Sequence, residues 1–570
     1  MARCLLISFS GYPTTPSSLM PDNGLASLAG ALLEAGHEVL LRDLNTIRTM
    51  SRLYPPRIGE AVRPMARAIF CEGATLPWRD KVRLIRLARQ LERHQAAAVD
   101  ALARDLVREA LPFKPDLVGL KLWNGDGFTG SIRMARHLRA ALPEVPIAAG
   151  GPHVAYFGEH IHDYTDAFDV LIRGDGERAV VQLCEWAEGV RSAGEVEGAI
   201  WRCDVAQAPP PGNTAQPGAA VPHQHLDDTP LPVYDLAVYP DLWGDEKIRI
   251  GVLEESRGCP ERCSFCIHPV KSGGRWRVKS APRVLREIDQ LCQALKSNTF
   301  IYAGSNTPAR AAVDYAKGVL ERGWHLRYGC FGHTRGMRDA DFGLLKRSGC
   351  EAIFYGIESG SARILREAFH KSASVDDISQ SILATKAAGI FTVGSVIFPA
   401  PFETAESRDA TLQLLKELRP DSVPVTAPGV IPGTPWHLTP ERFGIRFSAR
   451  RDLYAYGLTY KIRLLFPPRF WRPLPYTLNG KSSREFLKET TGFIEELEGA
   501  GLLTNVSHEL ALMAEVVGRP VREFRNEART AFFSRDVEWA ARLVETANAQ
   551  CAVRNSPVPV TAHCALRTGH

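Results

Sequence analysis

The sequence predicts an α/β protein: an N-terminal doubly wound parallel sheet, then a (βα)6 partial barrel, then a mainly helical C-terminal domain. Three observations carry this. Short apolar runs alternate with amphipathic helical stretches from residue 4 to about 186. After a proline-rich interval the alternation restarts near 246 and repeats six times. From about 441 onward the apolar spacing is that of helices alone.

In chain order, "CLLISF" (4–9) reads as a buried strand. A long loop, "SGYPTTPSSLMPDN", leads to the helix "GLASLAGALLEAGH" and the strand "EVLLRDL", which opens a parallel sheet. An arginine- and alanine-rich helical insert fills about 45–111. The alternation resumes with strand "DLVGLKLW", helix "TGSIRMARHLRAAL", strand "PIAAGG", a helix near 153–163, strand "DVLIRG" and helix "ERAVVQLCEWA". Five strands with crossing helices bind ligands at their C-terminal ends. Residues 187–245, with "AQAPPPGNTAQPGAAVPHQHLDDTPLP", read as a linker. Strands at roughly 249–256, 299–304, 325–330, 351–357, 391–397 and 421–427 then predict a partial barrel whose site lies on the loops after each strand. The expected domains are 1–186, 246–440 and 441–570.

Composition narrows the function classes. A chain of 570 residues exceeds one core. Its 45% apolar and 23% charged residues are those of a globular protein, and a formal charge of +5 gives no reason to expect nucleic acid. "MARCLLISFSGYP" is too short an apolar run for a signal region, and no stretch reaches a membrane span, so no membrane is expected and the cytoplasm is the expected compartment. There, clustered cysteines point to metal or catalysis before disulfides. Nine of the twelve cysteines (Cys4, Cys71, Cys184, Cys203, Cys292, Cys330, Cys350, Cys551, Cys564) are scattered and read as small buried hydrophobes.

The other three stand in "GCPERCSFCIHP", as Cys259-x3-Cys263-x2-Cys266, directly after the first strand of the second series. A structural zinc site wants four ligands, and no second CxxC half lies nearby. His268 remains a candidate fourth ligand, although it crowds Cys266. Three thiolates on one loop fit better an iron–sulfur cubane with one iron open.

This loop resembles that of the radical S-adenosylmethionine (SAM) enzymes, including the aromatic Phe265 before the last cysteine. The resemblance implies a [4Fe–4S] cluster on Cys259, Cys263 and Cys266. Its open iron would chelate SAM, whose reductive cleavage yields a 5'-deoxyadenosyl radical. Later segments match in order. "YAGSN" places Gly304, Ser305 and Asn306 at the SAM amino group, with the family's usual acidic residue replaced. "YGIESGS" offers Glu358 and Ser359 as the SAM-binding polar pair, although Glu358 also suits a plain helix N-terminus. "GSVIFPAPFET" would line the adenosine with Ser395, Phe398 and Pro399, and "VIPGTPW" resembles the family's PGTP turn.

A doubly wound sheet ahead of such a core resembles the cobalamin-dependent radical SAM enzymes, over about residues 1–440. The resemblance implies corrin contacts from Ser10, Tyr12 and Pro13 after the first strand and from Trp123 and Asn124. Further contacts would come from Gly150, Gly151 and His153, and from Gly174, Asp175 and Glu177. The glycines also suit sharp turns alone. No G-x-G-x-x-G supports a dinucleotide fold. None of the sixteen histidines has an aspartate two residues before it, so no D-x-H histidine would ligate cobalt from below.

The implied activity is C-methylation of an unactivated carbon in a biosynthetic intermediate, through methylcobalamin and the deoxyadenosyl radical. The alternatives are cyclisation, oxidation or rearrangement with the same cofactors, or a degenerate binding protein. A small molecule or peptide is the expected substrate, with flavodoxin or ferredoxin as electron donor.

Overall fold

The computed structural model describes residues 1–202 and 225–551. The first sheet comprises β1 (Arg3–Ser8), β2 (Glu38–Asp43), β3 (Leu117–Lys121), β4 (Ile147–Gly150), β5 (Val170–Ile172) and β6 (Ala199–Trp201). Its order is β2-β1-β3-β4-β5-β6. The first five strands are parallel, and β6 runs antiparallel to β5. β1, β3 and β5 are almost wholly apolar because helices cover both faces. Around them lie α1 (Asn23–Glu34), α2 (Ile47–Leu53), α3 (Pro56–Phe70), α4 (Trp78–Phe113), α5 (Asp126–Ala141), α6 (Pro152–Phe157) and α7 (Gly176–Ala187). The winding reverses between β1 and β3, so the ligand crevice opens at the loops that follow those two strands.

The linker expectation is corrected in two places. β6 falls inside it, with Trp201 packed on Trp186. Residues 225–245 are also docked: Val233 N–H donates to the Ala26 carbonyl, Leu41 N–H to that of Val238, and Tyr239 is fully buried. The proline-rich centre of that stretch, 203–224, lies outside the described residues, as do Cys203 and Cys564. Of the scattered cysteines within them, Cys71 is exposed and the rest are buried.

The second sheet has the order β14-β13-β12-β11-β10-β7 and is parallel throughout. Its strands are β7 (Gly251–Leu253), β10 (Thr299–Tyr302), β11 (Arg327–Gly332), β12 (Cys350–Glu358), β13 (Phe391–Ile397) and β14 (Val425–Thr426). A short hairpin, β8 (Ser256–Gly258) with β9 (Trp276–Val278), interrupts the series after β7. The helices are α8 (His268–Lys271), α9 (Ala281–Leu295), α10 (Ala309–Glu321), α11 (Phe342–Arg347), α12 (Ala362–Glu367), α13 (Val375–Ala387), α14 (Ala405–Leu418) and α15 (Pro435–Leu438).

Strand register decides what faces the barrel lumen. Gly329 pairs with Ala352, Phe331 with Phe354, Val393 with Phe354, and Ser395 with Gly356. These positions share one face, because side chains alternate along each strand. A register shift between Gly356 and Glu358, with Glu358 at φ 65°, re-aims the Glu358 side chain at the strand's C-terminal end.

The C-terminal region adds the two-stranded β15 (Ile445–Arg446) and β16 (Thr477–Leu478) and helices α16 (Arg450–Thr459), α17 (Ser483–Gly499), α18 (His508–Val516), α19 (Val521–Ser534) and α20 (Val537–Cys551). α18 closes the bottom of the barrel: His508 sits edge-on to Phe331 at 4.4 Å and to Phe354 at 5.7 Å. α19 packs on α3 of the first domain and α18 on β11, β12 and β13 of the second, so the region touches both domains. Between the two sheets, the Lys247 ammonium meets the Asp43 carboxylate at 2.7 Å with both side chains almost fully buried. Removing either partner of such a pair costs about 3–5 kcal/mol. Among the described residues, no helix is long and apolar enough to cross a membrane.

Candidate active site

The β8–β9 hairpin clamps the base of the cysteine loop, and four hydrogen bonds hold its crown. Ser264 N–H donates to the Phe369 carbonyl at 2.9 Å and its hydroxyl to that of Ala368, while Trp436 donates N–H to Ser264 at 3.2 Å and its indole N–H to Ala368 at 3.0 Å. Phe265 is half-buried against Phe369 (5.4 Å) and Trp436 (5.8 Å). That packing anchors the loop to the core, a role the sequence reading did not give it.

Cys259, Cys263 and Cys266 come together on this loop. Burial pushes the Cys263 thiol up to about 12 and that of Cys266 to about 11, and it raises Cys259 as well. The Lys371 ammonium works against burial at all three. Thiols in so dry a place ionise only beside strong positive charge, which bound iron supplies. Among the described residues, no three His, Cys, Asp or Glu side chains converge on a single ion. Three thiols on one loop, with no fourth protein ligand beside them among the described residues, match the donor set of a cluster that keeps one iron open. His268 is engaged elsewhere: its Nδ1 lies 2.6 Å from the Ser305 hydroxyl, which ties the loop to the end of β10.

Around the cysteines the structure sorts the residues expected at SAM. Asn306 is buried, accepts from His333 N–H at 3.2 Å, and bonds to Cys259. Gly304 is dictated by Glu255, which the sequence reading passed over. A Cβ at Gly304 would stand 2.4 Å from Glu255 Oε1. The fully buried Glu255 carboxylate accepts from Gly304 N–H (2.9 Å) and the Thr307 hydroxyl (2.6 Å), and burial pushes it up to about 7. Glu358 is buried with Lys371 Nζ 3.4 Å away; burial raises its carboxyl, and Lys371 opposes that rise. Ser395 is half-buried on the lumen face of β13.

Three other residues expected at SAM make contacts within the protein. The Ser359 hydroxyl lies 3.1 Å from that of Thr411 and accepts from Ser361 N–H, so it secures the start of α12. Phe398 stacks on Phe493 of α17 at 4.3 Å and is buried with Pro399.

At the first sheet, Trp123, Asn124, Gly150, Gly151 and His153 gather at the ends of β3 and β4. Trp123 donates its indole N–H to Ser8 at 3.3 Å, and Lys121 Nζ lies 4.8 Å from its ring. His153 Nδ1 lies 3.3 Å from the Leu122 carbonyl, and burial pushes the imidazole down to about 4, so it is neutral. A Cβ at Gly150 would meet nothing closer than 3.9 Å, and Gly174, at φ 106°, has no neighbour on that side. Ser10 donates from N–H and hydroxyl to Asn45, Tyr12 packs on Tyr54, and the Pro13 carbonyl accepts from Tyr54, so this loop is a fixed wall. Asp175 and Glu177, also expected at the corrin, pair with Arg257 and Arg277 of the β8–β9 hairpin. Tyr156 of α6, also unforeseen, has its hydroxyl pushed up by burial, with a smaller push from the Cys266 thiol.

The comparisons with known proteins agree with this geometry. The Radical SAM superfamily matches residues 254–415, from the cysteine loop to α14, and the B12 binding domain matches residues 81–184. The chain joins a B12-binding domain to a radical SAM core. It is 27% identical over 355 residues to an uncharacterized methyltransferase of Pyrococcus horikoshii, covering 60% of this chain and 74% of that protein. It is 27% identical over 386 residues to the hopanoid C-3 methylase of Methylococcus capsulatus, covering 65% and 70%. The fold matches that of the radical SAM methyltransferase TsrM of Kitasatospora setae, solved with cobalamin and a [4Fe–4S] cluster, at a TM-score of 0.59 and 15% identity over 96% of this chain and 99% of that one. A radical SAM core with a B12-binding domain implies a [4Fe–4S] cluster, SAM and cobalamin as cofactors.

Proposed function

We propose that this chain is a cobalamin-dependent radical SAM methyltransferase that methylates an unactivated carbon of a biosynthetic intermediate. The observation that carries the reading is the latching of one cofactor region to the other. Arg257 and Arg277, at the base of the cysteine loop, pair with Asp175 and Glu177 at the strand ends of the B12-binding domain. Two relatives named as a methyltransferase and a methylase support it.

When bound, the cluster and SAM supply the one-electron chemistry that removes a substrate hydrogen, and cobalamin supplies the methyl carrier. The residues of the chain do the rest. Cys259, Cys263 and Cys266 hold the cluster, and the Lys371 charge offsets theirs. Glu358 accepts from the SAM ammonium group, with Ser395 and Asn306 on the surrounding wall. Phe331 and Phe354 keep water from below, and the ion pairs fix the approach of the two domains, which is a proximity task. A flavodoxin or ferredoxin as reductant and a cytoplasmic setting complete the proposal.

Anaerobic incubation of reconstituted enzyme with cobalamin, reductant, SAM and candidate substrates tests it by mass spectrometry. Gain of one CH2 is expected. A product changed without that gain would favour the cyclase or oxidase alternative.

A further inference from the structure

The C-terminal region, which carries no motif, sends a strap across the ligand crevice of the B12-binding domain. At the C-terminal end of α16, Gly125 N–H donates to the Leu458 carbonyl, and the Asn124 amide to that of Tyr460 at 3.2 Å. Gly125 itself has φ 61°, and a Cβ there would stand 2.8 Å from Lys461 N. Lys461 is thereby delivered between the loops that follow β1 and β3, where Nζ reaches the Ser10 carbonyl at 3.4 Å.

Its surroundings are cationic. Lys461, Arg463 and Arg535 stand near one carboxylate, Asp126, which approaches Arg463 only to 4.0 Å. Among the described residues no carboxylate comes within ion-pair distance of Lys461. Burial drives its ammonium down to about 8, Asp126 opposing and Arg463 adding to the shift. The 16-residue helix α5 starts at the same place, with its N-terminal positive pole facing the strap. Tyr12 and Tyr54 wall the far side. A half-buried group of three cations with one carboxylate between them attracts a further anion.

We propose that Lys461, aided by Arg463, binds the phosphodiester of cobalamin's nucleotide tail, so that the C-terminal region is part of the cobalamin site. This rests on the cobalamin reading above. The phosphodiester is the anionic group of that cofactor, and the crevice between β1 and β3 is where a doubly wound sheet takes its ligand. An anionic substrate offers the same chemistry, and the test separates the two.

Cobinamide keeps the corrin and lacks the nucleotide tail with its phosphodiester. Binding of cobalamin and cobinamide to the full-length protein is measured by absorbance titration and filtration for wild type, Lys461→Gln and Lys461→Arg. Lys461→Gln is expected to weaken cobalamin about tenfold or more, the value of a charge-assisted hydrogen bond, while cobinamide binds as in wild type, which also shows the fold is kept. Lys461→Arg should restore most of the difference. Equal losses for both ligands, or an unchanged preference for cobalamin in Lys461→Gln, overturns the proposal and leaves the anion as a substrate group. Failure of wild type to bind either ligand overturns the cobalamin reading itself.

Discussion

Arg257, two residues before the first cluster cysteine, donates to both carboxylate oxygens of Glu177 in the other domain, with Nη1 3.1 Å from Oε2. The Arg257 side chain is 16% exposed and that of Glu177 6%, so solvent screens the pair little. The same guanidinium reaches Glu254 and Asp175, and Arg277 shares Asp175. A planar fork that holds carboxylates on two elements sets orientation as well as distance.

Arg257→Gln should therefore cost about 3–5 kcal/mol of unfolding free energy. Glu177→Gln should cost a similar amount, and the double variant little more than either alone. A double-mutant cycle in urea measures this. A coupling near zero would mean that the two domains are held by other contacts, such as Lys247 with Asp43.

Replacing Cys259, Cys263 and Cys266 together with alanine should abolish the cluster's visible absorption and SAM cleavage. Iron analysis after anaerobic reconstitution decides it. Retention of about four irons per chain, the content of one [4Fe–4S] cluster, would place the cluster elsewhere.

Glu358→Gln preserves shape and removes charge beside Lys371. SAM affinity should fall about tenfold, in the range for a hydrogen bond between charged groups, while iron content stays. Equilibrium binding of SAM separates this from a packing role, which would leave the affinity unchanged.

His508 is fully buried, and neither of its ring nitrogens has a partner. Burial pushes its imidazole down to about 3. Below the ordinary value of 6.5 the unfolded chain takes up a proton that the folded chain refuses. Stability is therefore full above pH 6.5 and falls as the pH drops toward 3, by about 1.4 kcal/mol per pH unit from this group. His508→Leu removes the group and should flatten the slope of unfolding free energy between pH 6.5 and 5. Melting curves at several pH values check it. An unchanged slope would mean that the charge finds a partner when the protein is protonated.

With no D-x-H histidine, cobalt in bound cob(II)alamin should lack an axial imidazole. His153, one of the residues expected at the corrin, is held against Phe157 and the Leu122 carbonyl. Electron paramagnetic resonance should show cobalt lines without nitrogen triplets, and clear triplets would contradict this.

Much of the frame was legible in the sequence for local reasons. The strand runs at 4–9 and 117–120 are apolar because both faces of a parallel sheet are covered, and that pattern survives any arrangement of neighbours. The cysteine loop was legible because its three ligands lie within eight positions of one turn. β6 was not, since "AIW" is three residues long and pairs only as an antiparallel edge, with proline-rich sequence beyond it. Phe398 and Ser359 carry motif positions, yet their contacts come from α17 and α14, which lie 92 and 52 residues further on.

The sequence by itself determined the two successive βα series, the cysteine triad and the missing cobalt-binding histidine. These are periodicities, spacings and absences within short windows, and a single chain displays them without folding. Only the tertiary structure decided that Lys371 serves the thiols, that Asp175 and Glu177 latch to Arg257 and Arg277, and that a motif-free C-terminal strap delivers Lys461 to the crevice. Each of those depends on charges from distant segments meeting where water is excluded. There an unpaired charge is too costly to keep, and no local pattern records which distant residue will answer it.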